Sequence, residues 1–195
     1  MISLEAYRAE VGSAIISRHD QPLVISSTEQ AAVVVEQAFL HARNRIRILC
    51  YNLNPTCYGI EPVQNAAQFF LAKCNTRADF LVESELWDLD STYDWFKHPF
   101  ILDLQNFLRA DEDGQNSPGL HLKFVPRGWA KTYICNFLLL DDYGYRLEAD
   151  RESPAAIAAF FSEEALVRDQ PLKNIEEMFD RLWRVSTPLD PLRPD

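Results

Sequence analysis

The sequence predicts an α/β/α sandwich, in which a mixed and largely parallel β-sheet carries helices on both faces. Short apolar segments alternate along the chain with apolar stripes at helical spacing. The run 133–140 is apolar apart from Asn136, as in a central strand that is covered on both faces. The chain has 195 residues, of which 47% are hydrophobic and 25% charged, and this suits one packed domain. We expect a leader helix over 1–20 and a single α/β domain over 21–195.

The first half of the chain predicts alternating helices and strands. The leader has four apolar residues at helical spacing, namely Leu4, Tyr7, Val11 and Ile15. This spacing indicates that the helix packs on the domain or on a partner. The following elements are a strand 23–26, a helix 28–43, a strand 45–51, a helix 62–74 and a strand 78–82. The polar residues 26–29 supply caps for the first of these helices, and Thr28 is the best candidate.

The second half continues the alternation around the central strand. Its elements are a helix 99–109, a strand 120–125, the strand 133–140, a short returning strand 145–149 and a helix 171–185. Pro188, Pro191 and Pro194 exclude further helix after this point.

The charge of the chain excludes some classes of partner. Its formal net charge is −10, from 29 acidic and 19 basic residues, so it repels phosphate backbones at long range. Broad nucleic-acid or anionic-membrane binding is therefore not expected. No apolar run approaches the ~20 residues of a membrane span, and the first residues lack the basic and apolar regions of a secretory signal. These observations favour a cytoplasmic protein.

The cysteines do not form a metal-binding pattern. They are Cys50, Cys57, Cys74 and Cys135, and the sequence contains no Cys-x-x-Cys pair. Zinc sites usually have closely paired ligands, so reduced structural cysteines are expected. No metal and no cofactor are predicted.

The segment 135–142, Cys-Asn-Phe-Leu-Leu-Leu-Asp-Asp, is the most informative motif. With the segments 24–28 and 45–49 before it and 179–188 after it, the chain resembles one half of a phospholipase-D-like domain. It most resembles an uncharacterised bacterial family whose His-Lys-Asp motif is degenerate. The resemblance covers about residues 22–192. In active members a strand carries His, then Lys two residues on, then Asp five residues later. Here that spacing falls on Cys135, Phe137 and Asp142.

The resemblance implies that the usual reaction is lost. Cys135 replaces the attacking His, and Phe137 replaces the Lys whose positive charge offsets negative charge at the phosphate. Active members also bring two motifs to one site, and this chain has one degenerate copy. The resemblance therefore implies a non-catalytic protein-binding, assembly or regulatory module in a bacterium, as a homodimer or with a protein partner. Cys135 could be a reactive thiol only if a base stood nearby; a buried strand cysteine is favoured.

An alternative is a phosphodiesterase or nuclease with a relocated site. The segment His121-Leu122-Lys123 has the His-x-Lys spacing, and a site could combine these side chains with Arg127 and Asp142. However, Gly128 stands where the motif needs an acid, and 120–125 alternates like a half-buried strand.

The segment 127–133 mixes basic and aromatic residues just before the motif. The basic side chains of Arg127 and Lys131 could bind a phosphate, and the ring of Trp129 could stack on a base. A surface loop whose Trp129 covers the edge of the core is favoured, because the net charge opposes polyanion binding.

An acidic and aromatic segment follows the strand 78–82. It contains five carboxylates between Glu83 and Asp94, interleaved with aromatic residues. It could hold a divalent cation or contact a basic partner, although it lacks the glycine-centred spacing of a calcium loop. The candidate partner-binding residues are Trp87, Asp88, Asp90 and Trp95.

Overall fold

The computed structural model describes residues 2–50, 53–83, 98–109, 119–125, 135–148, 155–166 and 169–189. Within these ranges the strands are β1 (Leu23–Ile25), β2 (Arg45–Cys50), β3 (Arg77–Glu83), β4 (Leu120–Val125), β5 (Phe137–Leu140), β6 (Gly144–Glu148), β7 (Ala156–Phe160) and β8 (Thr187–Leu189). The helices are α1 (Leu4–Ser17), α2 (Thr28–His41), α3 (Pro55–Tyr58), α4 (Glu61–Leu71), α5 (Pro99–Arg109), α6 (Glu163–Leu166) and α7 (Gln170–Val185).

The strands form one mixed sheet in the order β1-β7-β6-β5-β2-β3-β4-β8. Parallel pairing joins β2, β3 and β4, and the other neighbouring strands pair antiparallel. The predicted α/β sandwich with a mixed sheet is therefore confirmed, with the parallel pairing confined to β2, β3 and β4.

Both faces of the sheet are covered by helices. On one face, apolar side chains of α1, α2, α4 and α5 join alternate strand residues such as Ile48 and Phe80 in the larger core cluster. On the other face, α7 packs its apolar stripe on Leu49, Leu81 and Leu139. The stripe consists of Leu172, Ile175, Phe179 and Leu182. This arrangement follows from the alternation of side chains along each strand.

Capping side chains fix where the helices begin. Ser27, not the predicted Thr28, caps α2: its hydroxyl accepts a hydrogen bond from the backbone N–H of Gln30 at 3.2 Å. The backbone of Ser27 is extended (φ −144°, ψ 162°), so Thr28 is already the first helical residue. Asp169 caps α7 in the same way, through the N–H of Leu172 at 2.7 Å.

Four elements are absent from the sequence prediction: α3, the short helix α6, and the strands β7 and β8. β7 lies between β1 and β6, and β8 forms the edge beside β4. Both extra strands pair antiparallel with their neighbours. No helix in the described ranges combines the length and apolar character needed to cross a membrane.

Candidate functional site

The position of the implied catalytic lysine is filled by a buried aromatic ring. Phe137 opens β5, and only 1% of its surface is exposed. Its ring meets Phe179 of α7 edge to face, with ring centroids 6.3 Å apart. Leu49 of β2 is its register partner and belongs to the same apolar cluster. The described neighbours of Phe137 in this cluster are apolar, so its side chain belongs to the packed core.

Cys135 lies two residues before Phe137, outside β5, and is half-buried with a free thiol, so the prediction of a buried strand cysteine is wrong. None of the described residues forms a hydrogen bond with its sulfur, so this part of the chain supplies no base to activate it. Asn136 between them turns to the other face of the sheet, where its side-chain amide donates to Glu148 of β6.

The remaining cysteines differ in burial, and two of the three match the expected buried structural thiols. Cys50 and Cys57 are buried and Cys74 is exposed, all without a disulfide. Burial raises the pKa of Cys57 to about 11, with Arg146 acting in the opposite direction. The Cys57 thiol is therefore protonated at neutral pH and is a poor nucleophile.

The acidic end of the motif separates into two residues with different surroundings. Asp142 is exposed in the turn between β5 and β6. Its neighbour Asp141 is buried, and its carboxylate accepts hydrogen bonds from the backbone N–H groups of Arg43, Asn44 and Arg45 at 3.0, 2.9 and 2.7 Å. Asp141 therefore holds the start of β2 against the turn.

The backbone of Asp141 gives a physical reason for this residue type. Its φ is 48°, in the left-handed region that Asp tolerates better than most residues. Sequence reasoning missed Asp141 because the motif spacing points to Asp142. The signal that could have found it is a short acidic side chain at the first position of a tight turn.

His121 and Lys123 lie on the α7-covered face of β4, but they differ in their contacts. Lys123 Nζ donates to the carbonyl of Trp183 at 2.8 Å and lies 4.5 Å from the centroid of its ring. His121 is at the surface, and its pKa is lowered by partial burial and then by the charge of Arg77, with Asp79 opposing this shift. His121 is therefore mainly neutral at neutral pH.

The structure does not bring His121 and Asp142 together. β2 and β3 lie between β4 and β5 in the sheet. Three inter-strand spacings of about 4.8 Å separate these strands by about 14 Å. Because a general acid or base must lie within about 3 Å of its partner, or one water away, these side chains cannot act on each other directly.

A charged network that the sequence analysis missed lies beside His121. Asp79 on β3 is completely buried, and its carboxylate accepts from Nε of Arg45 at 2.8 Å and from Nε of Arg77 at 2.7 Å. Asp79 is also the register partner of His121. One buried carboxylate thus pairs with two partly exposed guanidinium groups. Because two positive charges face one negative charge, the surroundings of His121 carry a net positive charge.

A buried cation, Arg47, holds α7 on the sheet. Arg47 of β2 donates from Nη2 to Glu176 of α7 at 2.6 Å and to the backbone carbonyl of Asp141 at 2.8 Å. Its guanidinium carbon lies 6.0 Å from the centroid of the Phe179 ring. This pair fixes the helix that covers Phe137.

The other predicted site residues lie outside the described residues. They are Arg127, Trp129 and Lys131 before β5, and Trp87, Asp88, Asp90 and Trp95 after β3. In the part of the chain that the structure describes, no group of three or more His, Cys, Asp or Glu side chains is arranged to hold a metal ion.

Comparison with known proteins gives likeness in structure but not in sequence. No protein-family model matches the chain, and no curated protein matches it. Among solved structures, the archaeal chromatin protein TrmBL2, whose structure shows a mode of DNA binding, matches 95% of this chain at 12% identity and a TM-score of 0.54. Phosphatidylserine synthase of Haemophilus influenzae Rd KW20 matches 87% at 16% identity and a TM-score of 0.53. NucT of Helicobacter pylori matches 87% at 10% identity and a TM-score of 0.55.

These similarities concern the fold alone. The synthase and NucT have the phospholipase-D-like fold, and this chain shares their overall arrangement of strands and helices. The chain covers 61% of TrmBL2 and 39% of the synthase, whereas it covers 99% of NucT.

Proposed function

We propose that this protein is a non-catalytic phospholipase-D-like domain that acts as a protein-binding, assembly or regulatory module in the cytoplasm of a bacterium. The observation that carries the proposal is Phe137, which is buried against Phe179 at the position where the resemblance implies a phosphate-binding lysine.

The energetics at this position oppose the usual phosphodiesterase reaction. Fixed positive groups at a reacting phosphate are worth roughly 3 kcal/mol or more of transition-state stabilisation. Phe137 supplies none, and its apolar neighbours would make an ammonium group at this depth costly. The neighbouring thiol of Cys135 has no base among the described residues. Loss of these groups supports a role that depends on surfaces rather than on this chemistry.

A surface suited to protein contact lies at one edge of the sheet. Val24 of β1 and Ile157 of β7 are register partners, and they are 70% and 40% exposed. β1 is also the edge strand of the described sheet, and edge strands favour pairing with another chain. The carbonyl of its central residue Val24 accepts a hydrogen bond from the Tyr7 hydroxyl at 3.4 Å. An exposed apolar pair beside an open edge supports self-association or docking of a protein partner.

Size-exclusion chromatography with light scattering tests this surface. We expect a homodimer, or a stable complex with a captured partner, that Val24→Lys and Ile157→Lys both weaken because charge is placed in the apolar contact. Val185→Lys is the matched control, since Val185 is 45% exposed at the far end of α7. A protein that remains monomeric at all concentrations and captures no partner contradicts the proposal.

The alternative function is a phosphodiesterase or nuclease with a relocated site. It is favoured by one observation: His121 has a lowered pKa and lies close to Arg77, Arg45 and Lys123, so a neutral imidazole stands among cations. Asp142 cannot take part directly, because it lies three strands away.

Hydrolysis of bis(p-nitrophenyl) phosphate separates the two functions. The non-catalytic proposal predicts no turnover above that of buffer for the wild-type protein. Turnover that His121→Ala abolishes, while the variant stays folded, would establish the alternative. Turnover that His121→Ala leaves unchanged would contradict this version of the alternative.

A further inference from the structure

A cationic cleft lies on the side of the molecule where α1 and α2 end. Its volume is about 420 Å³. The residues that follow α1, α2 and α4 meet there with the turn between β5 and β6. The charged lining side chains are Arg18, Arg43 and Lys73, and Leu40 and Tyr143 contribute apolar surface. His41 also lines the cleft, but burial and then the charge of Lys73 lower its pKa, so its imidazole is mainly neutral at neutral pH.

The charge of this cleft is opposite to that of the whole chain. The net charge of the protein is −10, yet no carboxylate lines the described cleft. Among the described residues, Glu163 is the acid whose side chain pairs with a lining cation: its Oε1 lies 3.9 Å from Arg18 Nη1, and its side chain is 92% exposed. A pair of this kind is worth little in water, so Arg18 keeps its capacity to bind another anion. Asp141 of the adjacent turn accepts a hydrogen bond from the backbone N–H of Arg43 and not from its guanidinium. Burial raises the pKa of Tyr143, and the charges of Asp141 and Asp142 raise it further while Arg18 and Arg43 oppose them.

Helix capping explains part of this charge but not all of it. Cations are favourable at helix C-termini, and Lys73 Nζ donates to the carbonyls of Leu40 and Ala42 at 3.4 and 3.3 Å, near the end of α2. Arg43 is different: it is exposed, and its side chain makes no ion pair or hydrogen bond with any described residue. The capping role therefore leaves the Arg43 guanidinium unexplained.

Arg18 is held in position by an aromatic ring. Its guanidinium carbon lies 4.3 Å from the centroid of Tyr143, which is itself buried. Stacking fixes the plane of a guanidinium while its N–H edge stays available, and this geometry suits bidentate recognition of phosphate or carboxylate. Arg18 also terminates α1 in the left-handed conformation (φ 49°), which sets its direction into the cleft.

We propose that this cleft binds a small phosphate monoester, with Arg18 and Arg43 as the groups that contact the phosphate. A phosphate monoester carries nearly two negative charges at neutral pH, which matches several cations around one cleft better than a single carboxylate does. The volume is in the range of about 300–1,000 Å³ typical of small-molecule sites. Leu40 and Tyr143 can contact an apolar or planar group attached to the phosphate. The inference is independent of the proposed protein-binding role.

Titration of the ¹⁵N-labelled full chain with phenyl phosphate, at constant ionic strength, tests the site. We expect saturable shifts of the Arg18 side-chain Nε–H and the Tyr143 backbone N–H signals. Arg43→Gln should weaken binding about tenfold or more, since it removes a charge-assisted hydrogen bond. Arg181→Gln is the matched control and should bind as the wild type does, because Arg181 is an exposed cation on α7.

Two comparisons make the inference falsifiable. Phosphate salts raise the melting temperature of proteins without binding, because they are excluded from the protein surface. The affinities of the ligands and variants are therefore compared from the chemical-shift titrations and not from melting temperatures. Benzoate that binds as tightly as phenyl phosphate would overturn the preference for a dianion. Equal affinity in Arg43→Gln and the wild type, with both proteins folded, would overturn the site itself.

Discussion

Asp141 connects two parts of the chain that are far apart in sequence. Its carboxylate accepts hydrogen bonds from the three backbone N–H groups of residues 43–45, and its backbone carbonyl accepts one from the Arg47 guanidinium. The backbone N–H groups of residues 43–45 thus bond to a side chain and not to the carbonyls of a neighbouring strand. The turn and the strand are consequently fixed to each other by one side chain.

We expect Asp141→Asn to lower the free energy of unfolding by about 2 kcal/mol, because hydrogen bonds to a charged acceptor are the stronger kind and the amide keeps a single acceptor oxygen. Asn also tolerates a positive φ, so the substitution tests the carboxylate and not the backbone conformation. Urea denaturation followed by circular dichroism gives the measurement. Asp142→Asn, at the exposed neighbouring position, should change stability by less than about 0.5 kcal/mol; an equal effect at both positions would contradict this role.

At the scale of single residues, the sequence analysis located the motif but did not identify Asp141 as the acid that holds the start of β2. The spacing from Cys135 and Phe137 points to Asp142, and only the fold shows that the adjacent residue faces the start of β2. The network of Asp79 with Arg45 and Arg77 was missed for a related reason. Arg45 and Asp79 are 34 residues apart, and their contact depends on which strands become neighbours in the sheet.

The long helix α7 is held on its face of the sheet by polar contacts as well as by its apolar stripe. Arg47 reaches Glu176 in its middle, and Lys123 reaches the Trp183 carbonyl near its end. A cation near the C-terminus of a helix is favoured by the helix dipole. The sheet thus fixes both the position and the end of α7 within the described residues.

Lys123→Met should therefore lower the free energy of unfolding by about 1–2 kcal/mol, through loss of the hydrogen bond and of the contact with the Trp183 ring. The midpoint of urea unfolding, followed by circular dichroism, reports the change. His121→Gln is the matched control on the same face of β4 and should be nearly neutral. A Lys123→Met protein as stable as the wild type would show that α7 does not depend on this contact.

The predicted helices and strands agree with the structure where the apolar periodicity is strong. The prediction fails where the residue types of a strand are ones that usually favour another structure. The helix 171–185 and the strand 120–125 agree closely with α7 and β4. β7 was missed because three of its five residues are Ala, which favours helix over strand. β8 was missed because Pro188 was interpreted only as a helix stop; proline is accepted in an edge strand, and β8 is one.

At the scale of the whole molecule, α1 belongs to the main core. Tyr7, Val11 and Ile15 are buried in the larger apolar cluster together with α2. The sequence analysis separated this helix as a leader over 1–20. Its packing predicts that it unfolds together with the domain and not as an independent segment.

Two adjacent isoleucines test this prediction. Ile15 is 2% exposed and Ile16 is 70% exposed, so Ile15→Ala should cost about 2–4 kcal/mol and Ile16→Ala less than about 0.5 kcal/mol. Thermal unfolding followed at several wavelengths should keep a single transition in both variants. A separate early transition in Ile15→Ala would indicate that α1 detaches from the core by itself.

The strand order also has a kinetic consequence. β1 pairs with β7, although Leu23 and its partner Ala158 are 135 positions apart in the chain. β2, β3 and β4 are close in sequence and can assemble early, but the sheet extends beyond β2 only when β5 inserts at its side. Pairings over such separations carry a large loop-closure entropy and slow folding. During synthesis, β1 therefore has no partner strand until residue 158 has left the ribosome. A chain stalled before residue 137 has left it exposes the edges of both β1 and β2, because β5 is then missing as well.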